Sequence, residues 1–107
     1  MGSILKIVIC VPAGLFAVLH IIAAASRLLK EYKPSHLIML CGGIEIIAAI
    51  FDHIDDRASD WYWMLAGGAM VCAAAIMNGR AAGKLNPLHH IIRGIAVLAL
   101  TLAFLLV

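Results

Sequence analysis

Apolar residues run along this chain in four long blocks, at 4–26, 35–54, 61–77 and 88–107, and the polar residues gather into three short stretches between them. A helix needs about 20 apolar residues to cross a hydrocarbon layer of about 30 Å. Each block is therefore expected to be a membrane-spanning helix, joined to the next by a connector. The breaks agree with this division. Pro34 and Pro87 stand where a helix can begin but not continue, and Ser35 after Pro34 suits the capping position of the second helix. Pro12 falls inside the first block, an interruption that membrane helices tolerate when neighbours satisfy the freed carbonyl. Trp61, Tyr62 and Trp63 open the third block as an aromatic belt of the kind found at headgroup level. The run that follows, AGGAMVCAAA, is so rich in small residues that the third helix is expected to be the most closely packed, with Gly68 and Cys72, and Ala69 and Ala73, as small pairs one turn apart.

The first block also imitates a secretory signal, since Lys6, an apolar run and Ala23-Ala24-Ala25-Ser26 follow in the right order. It is long for that purpose, contains His20, and is followed at once by Arg27, Lys30 and Lys33, which resist translocation. We expect a retained span. The start MGSILK has Lys6 where an N-myristoylation motif wants Ser or Thr.

Of the 107 residues, 64% are hydrophobic and 13% charged, against about 45–50% and about 25% in soluble domains. The fold class expected is thus all-α: an integral membrane four-helix bundle in one domain, with the lipid bilayer as its first partner. Cys10, Cys41 and Cys72 each stand alone in an apolar run and are expected to be small buried residues, with no disulfide framework and no metal site. Charge placement matters more than the net value of +2. Residues 27–34, 78–87 and the start of the fourth span hold Arg27, Lys30, Lys33, Arg80, Lys84 and Arg93, whereas the other side has only Lys6 and Arg57. By the positive-inside rule the first and third connectors face the cytoplasm of a multi-pass cell-membrane protein, and both termini lie on the non-cytoplasmic side. At an offset of 53 residues, Arg27, Pro34 and His36 lie over Arg80, Pro87 and His89. This raises a two-hairpin pseudo-repeat as one expectation and chance as the other.

Glu45 is the one carboxylate in the middle of a span. At a bilayer centre it costs about 2.5 kcal/mol or more, so such groups usually face a bundle interior and mark a functional site. On a helix it shares a face with Cys41, Gly42, Ala48, Ala49 and Asp52, which leaves room for a ligand or a proton beside it. His20 lies roughly 10 Å and Glu45 roughly 15 Å from the cytoplasmic surface at 1.5 Å per residue, so the two are expected to be within reach of each other. His36, His89 and His90 stand at helix starts, near Arg27, Arg80 and Arg93, where helix N-termini and guanidinium groups attract anions or the polar head of a quinone or lipid. Arg93 is also placed to snorkel to the interface. The candidate ligand or proton site is therefore Glu45, His20, Arg27, His36, His89 and Arg93, with no catalytic and no metal-ligating residue. No spacing selects bis-histidine haem ligation. The acidic stretch with Asp52, His53, Asp55, Asp56 and Asp60 is expected to be a solvated loop.

No phosphate-binding loop, dinucleotide fingerprint, zinc-protease or nucleophile-elbow motif is present, nor a basic surface with interleaved aromatics for nucleic acid. Autonomous catalysis is not expected. The order of features resembles the DoxX-like group of small four-span membrane proteins: a first span ending at Arg27, Gly42-x-x-Glu45 in the second, AGGAMVCAAAIMNGR in the third, a polar connector and an apolar fourth span. That resemblance implies a membrane subunit associated with quinone-linked or thiol redox complexes. The small multidrug exporters are similar in length and span number, but their membrane Glu lies in the first span. Three readings follow. The first is an accessory membrane subunit, oligomeric or bound to a membrane partner, that takes a small amphipathic ligand near Glu45. The second is a small proton-coupled transporter using Glu45, and the third a structural or assembly protein.

Overall fold

In the computed structural model, residues 2–55, 57–83 and 86–107 are described, with side chains from residue 4 onward in the first stretch. They form four α-helices: α1 (Gly2–Lys30), α2 (Pro34–Ile54), α3 (Asp60–Ala81) and α4 (Pro87–Leu106). All four are long and apolar enough to cross a membrane. Compared with the expected spans, α1 and α3 each run about one turn further, so Arg27 and Asn78 are helical residues. Asp56 and Lys84 lie outside the described residues.

Local chemistry sets the helix ends. Proline is tolerated at the first helical position, where its missing N–H would have no partner, and α2 and α4 both begin on one. Asn86 caps α4, its side-chain oxygen accepting from Leu88 N at 3.2 Å. Ser35 does not cap α2: Lys33 occupies that position, and Ser35 Oγ donates instead to Asn78 Oδ1 of α3 at 2.5 Å. The chain leaves α3 through Gly83 at φ 69°, a left-handed turn that favours glycine.

Each helix buries a narrow stripe with alternating steps of three and four. In α2 it runs through Ser35, Met39, Gly42, Ile46, Ala49 and His53, and in α3 through Asp60, Met64, Gly67, Val71 and Ala74. Ala13, Ala17 and Ala24 bury the stripe of α1, and Val97, Thr101 and Phe104 that of α4. A period of about 3.5 residues is the seam of knobs-into-holes packing. The seams hold mostly small side chains, while Leu15, Phe51, Ile95 and Leu98 point outward. That is the expected division where the surroundings are as apolar as leucine and helices associate by close contact.

Contact is closest where α2 crosses α3. A Cβ built on Gly67 would lie 2.6 Å from the Gly42 carbonyl oxygen, and one on Gly42 would lie 2.7 Å from the Gly67 carbonyl oxygen. Backbone meets backbone there, so neither position has room for a side chain. Gly43 lets α1 approach through Ile21, and Gly68 lets α4 approach through Val97. The small pair Ala69 and Ala73 faces outward, so only the glycine half of the expected small-residue packing is used inside the chain. Cys41 is likewise exposed, while Cys10 and Cys72 are half-buried. Of the four neighbouring pairs around the bundle, α1 and α4 touch each other least.

Replacing Gly67 by Val should lower the unfolding free energy by about 1–3 kcal/mol, the usual cost of overpacking, in a denaturing-detergent titration of the full chain. Gly94→Ala, where an added Cβ meets nothing within 4 Å, should leave the midpoint unchanged or slightly raised. Equal midpoints for Gly67→Val and the parent chain would contradict the crossing.

Candidate functional site

At the end of the bundle that carries the first and third connectors, all four helices contribute to a cavity of about 570 Å³. Its lining includes five of the six residues expected from the sequence: His20 and Arg27 of α1, His36 of α2, and His89 and Arg93 of α4. Lys33, His90 and Asn78 line it too. Arg80, expected nearby, does not. Arg27 and His89 are exposed at the rim, whereas His36 is only 7% exposed.

Two side chains hold the interior of this cavity in order. Arg93 bridges the gap between α4 and α1, its Nε–H donating to His20 Nε2 at 3.3 Å and Nη1 donating to His90 Nδ1 at 3.4 Å. Arginine can only donate and a carbonyl can only accept, so the contact from His20 Nδ1 to Phe16 O at 2.7 Å assigns the ring proton to Nδ1. His20 is thus an acceptor that aims a guanidinium across the bundle. This corrects one expectation: the polar partner of His20 is the half-buried Arg93, not Glu45.

The second ordering contact is the Ser35 to Asn78 bond between α2 and α3. It occupies Asn78 Oδ1 and leaves Nδ2 buried without a hydrogen-bond partner, as is His36 Nδ1. A buried polar atom without a partner costs about 1–3 kcal/mol. Both side chains line one cavity with an anchored guanidinium: the Asn78 amide nitrogen is a donor that lacks an acceptor, and the His36 ring nitrogen is a donor or an acceptor according to its tautomer. The apolar pattern ends the third span at Met77 and so leaves Asn78 in the connector, whereas α3 continues to Ala81. One further step of the α3 seam, from Ala74 by four, reaches Asn78.

Glu45 stands apart, outside the lining of this cavity and of a second one at the opposite end. It is half-buried on the flank of the α2 seam beside Ile46, with Gly42 and Ala49 buried on one side and Cys41 and Ala48 exposed on the other. Its Cβ lies 3.0 Å from the Cβ position of Gly67, and Oε2 is buried without a hydrogen-bond partner. The structure therefore brings the basic and histidine residues together and leaves the carboxylate at the α2–α3 contact.

The acidic stretch also differs from expectation. Asp55 is exposed, but His53 and Asp60 are 1% and 7% exposed and bond to each other through Nδ1 and Oδ2. Among the described residues, no three His, Cys, Asp or Glu side chains are placed to hold a metal ion.

Comparison with models of protein families, with curated proteins and with solved structures finds no match.

Ser35→Ala should cost about 1–3 kcal/mol of unfolding free energy, because it leaves Asn78 Oδ1 buried and unpaired. The double variant Ser35→Ala/Asn78→Leu should cost clearly less than the sum of its two single changes. Additive costs would mean that the two side chains do not share a bond.

Proposed function

We propose that this chain is a membrane accessory protein whose connector-end cavity binds the polar head of a small amphipathic molecule, a quinone or a phospholipid. The observation that carries this reading is the wall formed by Arg93, Asn78 Nδ2 and His36 Nδ1, an anchored guanidinium beside two buried polar atoms without partners. Quinone carbonyls and phosphate oxygens both accept hydrogen bonds, which is what the guanidinium and the amide nitrogen offer. The volume of about 570 Å³ is in the range of small-molecule sites. Arg27, Lys33 and His89 at the rim supply longer-range attraction for a negatively charged or polarised head, and the tail would leave toward the lipid. With six of the eight basic residues in or beside the two flanking connectors, we assign this end to the cytoplasmic side. A role beside a redox or quinone-linked membrane complex, as in the DoxX-like group, suits such a site.

A second reading rests on Glu45. Its buried Oε2 has no hydrogen-bond partner inside the chain, and an intramembrane carboxyl of that kind is a site that a proton-coupled transporter can use.

Binding of a short-tailed ubiquinone analogue and of dihexanoyl-phosphatidylglycerol to the detergent-solubilised chain distinguishes the two. Loss of charge-assisted hydrogen bonds worth about 1.5–3 kcal/mol should weaken at least one probe tenfold or more in Arg93→Leu, with Glu45→Gln within twofold of the parent. Equal affinity in Arg93→Leu would refute the cavity reading. Flux driven by a pH gradient in proteoliposomes, abolished in Glu45→Gln, would establish the second.

A further inference from the structure

The lining of the connector-end cavity carries charge of one sign. Arg27 and Arg93 stand in it with Lys33, four histidines and Asn78, and it contains no carboxylate. The acid nearest to it along the chain, Glu31, lies outside the lining and pairs with Lys33 at 3.9 Å. Arg93 spends its contacts on two imidazoles, His20 and His90, which accept hydrogen bonds and bring no negative charge. Among the described residues, no carboxylate pairs with Arg27 or Arg93. A guanidinium does not lose its proton in a protein, so two positive charges remain here whatever the state of the histidines. In the same lining His36 is 7% exposed with Nδ1 unpartnered, and Asn78 Nδ2 is a buried donor without an acceptor. The cavity also has an apolar side. Leu19 and Ala23 of α1 line it, and Leu19 is 65% exposed, so the lining continues there to the outer surface of the bundle.

We propose that this cavity selects a head of net negative charge, the phosphate of an anionic phospholipid whose tails leave between α1 and α4, an inference that rests on the cavity holding an amphipathic head. A quinone carbonyl is neutral and would leave both guanidinium charges without a counter-charge in surroundings where that is costly. A phosphodiester supplies one negative charge and two free acceptor oxygens, one for the Arg93 guanidinium and one for the Asn78 amide. Net charge also separates one lipid from another. Phosphatidylcholine has the same phosphodiester but brings its own cation to a rim where Arg27 already stands, whereas phosphatidylglycerol does not. The tails follow from the apolar side of the lining and from the loose packing of α1 against α4 among the neighbouring pairs. A free anion would make no use of Leu19 or Ala23.

The test is calorimetric titration of the full chain in a maltoside detergent, which carries no phosphate. The probes are dihexanoyl-phosphatidylglycerol, dihexanoyl-phosphatidylcholine, a short-tailed ubiquinone analogue, and glycerophosphoglycerol, the anionic head without tails. Phosphatidylglycerol should bind at least tenfold more tightly than each of the other three. The two lipids share their tails and enter micelles alike, so the difference between them reads the charge. Arg27→Gln, a change at an exposed side chain, should weaken phosphatidylglycerol at least fivefold. Arg80→Gln removes a charge from the same end but outside the lining, and should leave that affinity within twofold. Phosphatidylcholine or the quinone analogue bound as tightly as phosphatidylglycerol would overturn the selection for charge while the cavity reading stands. The bare head bound as tightly as the lipid would overturn the lipid as ligand, and equal losses in Arg27→Gln and Arg80→Gln would overturn the role of the lining. Failure of all four probes to bind would refute the cavity reading itself and this inference with it.

Discussion

A polar atom inside a bundle surrounded by hydrocarbon has no solvent to turn to, so its partner must come from another helix or from something the bundle binds. That constraint organises this protein. The middle of the bundle is held by contact alone, with Gly42 against Gly67 at the α2–α3 crossing and Ala13, Ala17, Ile46, Ala49 and Val71 packed around it. The side-chain hydrogen bonds that tie one helix to another stand at the two ends: Ser35 to Asn78, Arg93 to His20, His53 to Asp60. The ties do not exhaust the polar atoms. His36 Nδ1, Asn78 Nδ2, Glu45 Oε2 and His53 Nε2 are left buried without partners.

The two ends differ in kind. At the connector end the tie from Arg93 spans α1 and α4, the most loosely packed of the neighbouring pairs, so the guanidinium stands in an open space and not in a packed seam. Removing it would leave that space without its strongest donor. At the other end the histidine is clamped by a carboxylate, an aromatic ring and a lysine, and the space beside it is smaller. One end is an open cavity and the other a smaller one beside a cluster of bonded side chains. The difference follows from the residues at each end: two arginines, a lysine and four histidines around Asn78 and Gly79 at one, tryptophan and phenylalanine beside His53 and Asp60 at the other.

Much of the fold was legible in the sequence because hydrophobic runs of spanning length, broken at Pro34 and Pro87, leave few alternatives. The basic and histidine residues of the connector end were legible for the same reason, since proximity to two connectors on one side is a matter of counting along helices. Three features were not. Asn78 was placed in a connector because the small-residue run hides where α3 ends. Charge density around His53 and Asp60 suggests a solvated loop, whereas the seam register of α2 and α3 carries both inward. Glu45 was expected at the centre of the site because it shares a face with small residues. The face is real, but only half of it, Gly42 and Ala49, is buried, and a difference of one position from Ile46 moves the carboxylate to the flank. A helical face is about 100° wide, and sequence alone did not say which edge of it meets the neighbouring helix.

The central claim is that the unpartnered polar atoms of the connector end, not Glu45, mark where a ligand's head rests. Photoaffinity labelling of the protein in native membranes with a photoactivatable short-tailed quinone and a photoactivatable phospholipid, followed by peptide mapping, tests it most directly. The account predicts that the label of at least one probe, competed by excess unlabelled compound, concentrates on residues 78–82 and 89–93. Competed label concentrated on residues 41–48, or spread without competition over the outward-facing leucines of α1 and α4, would contradict it.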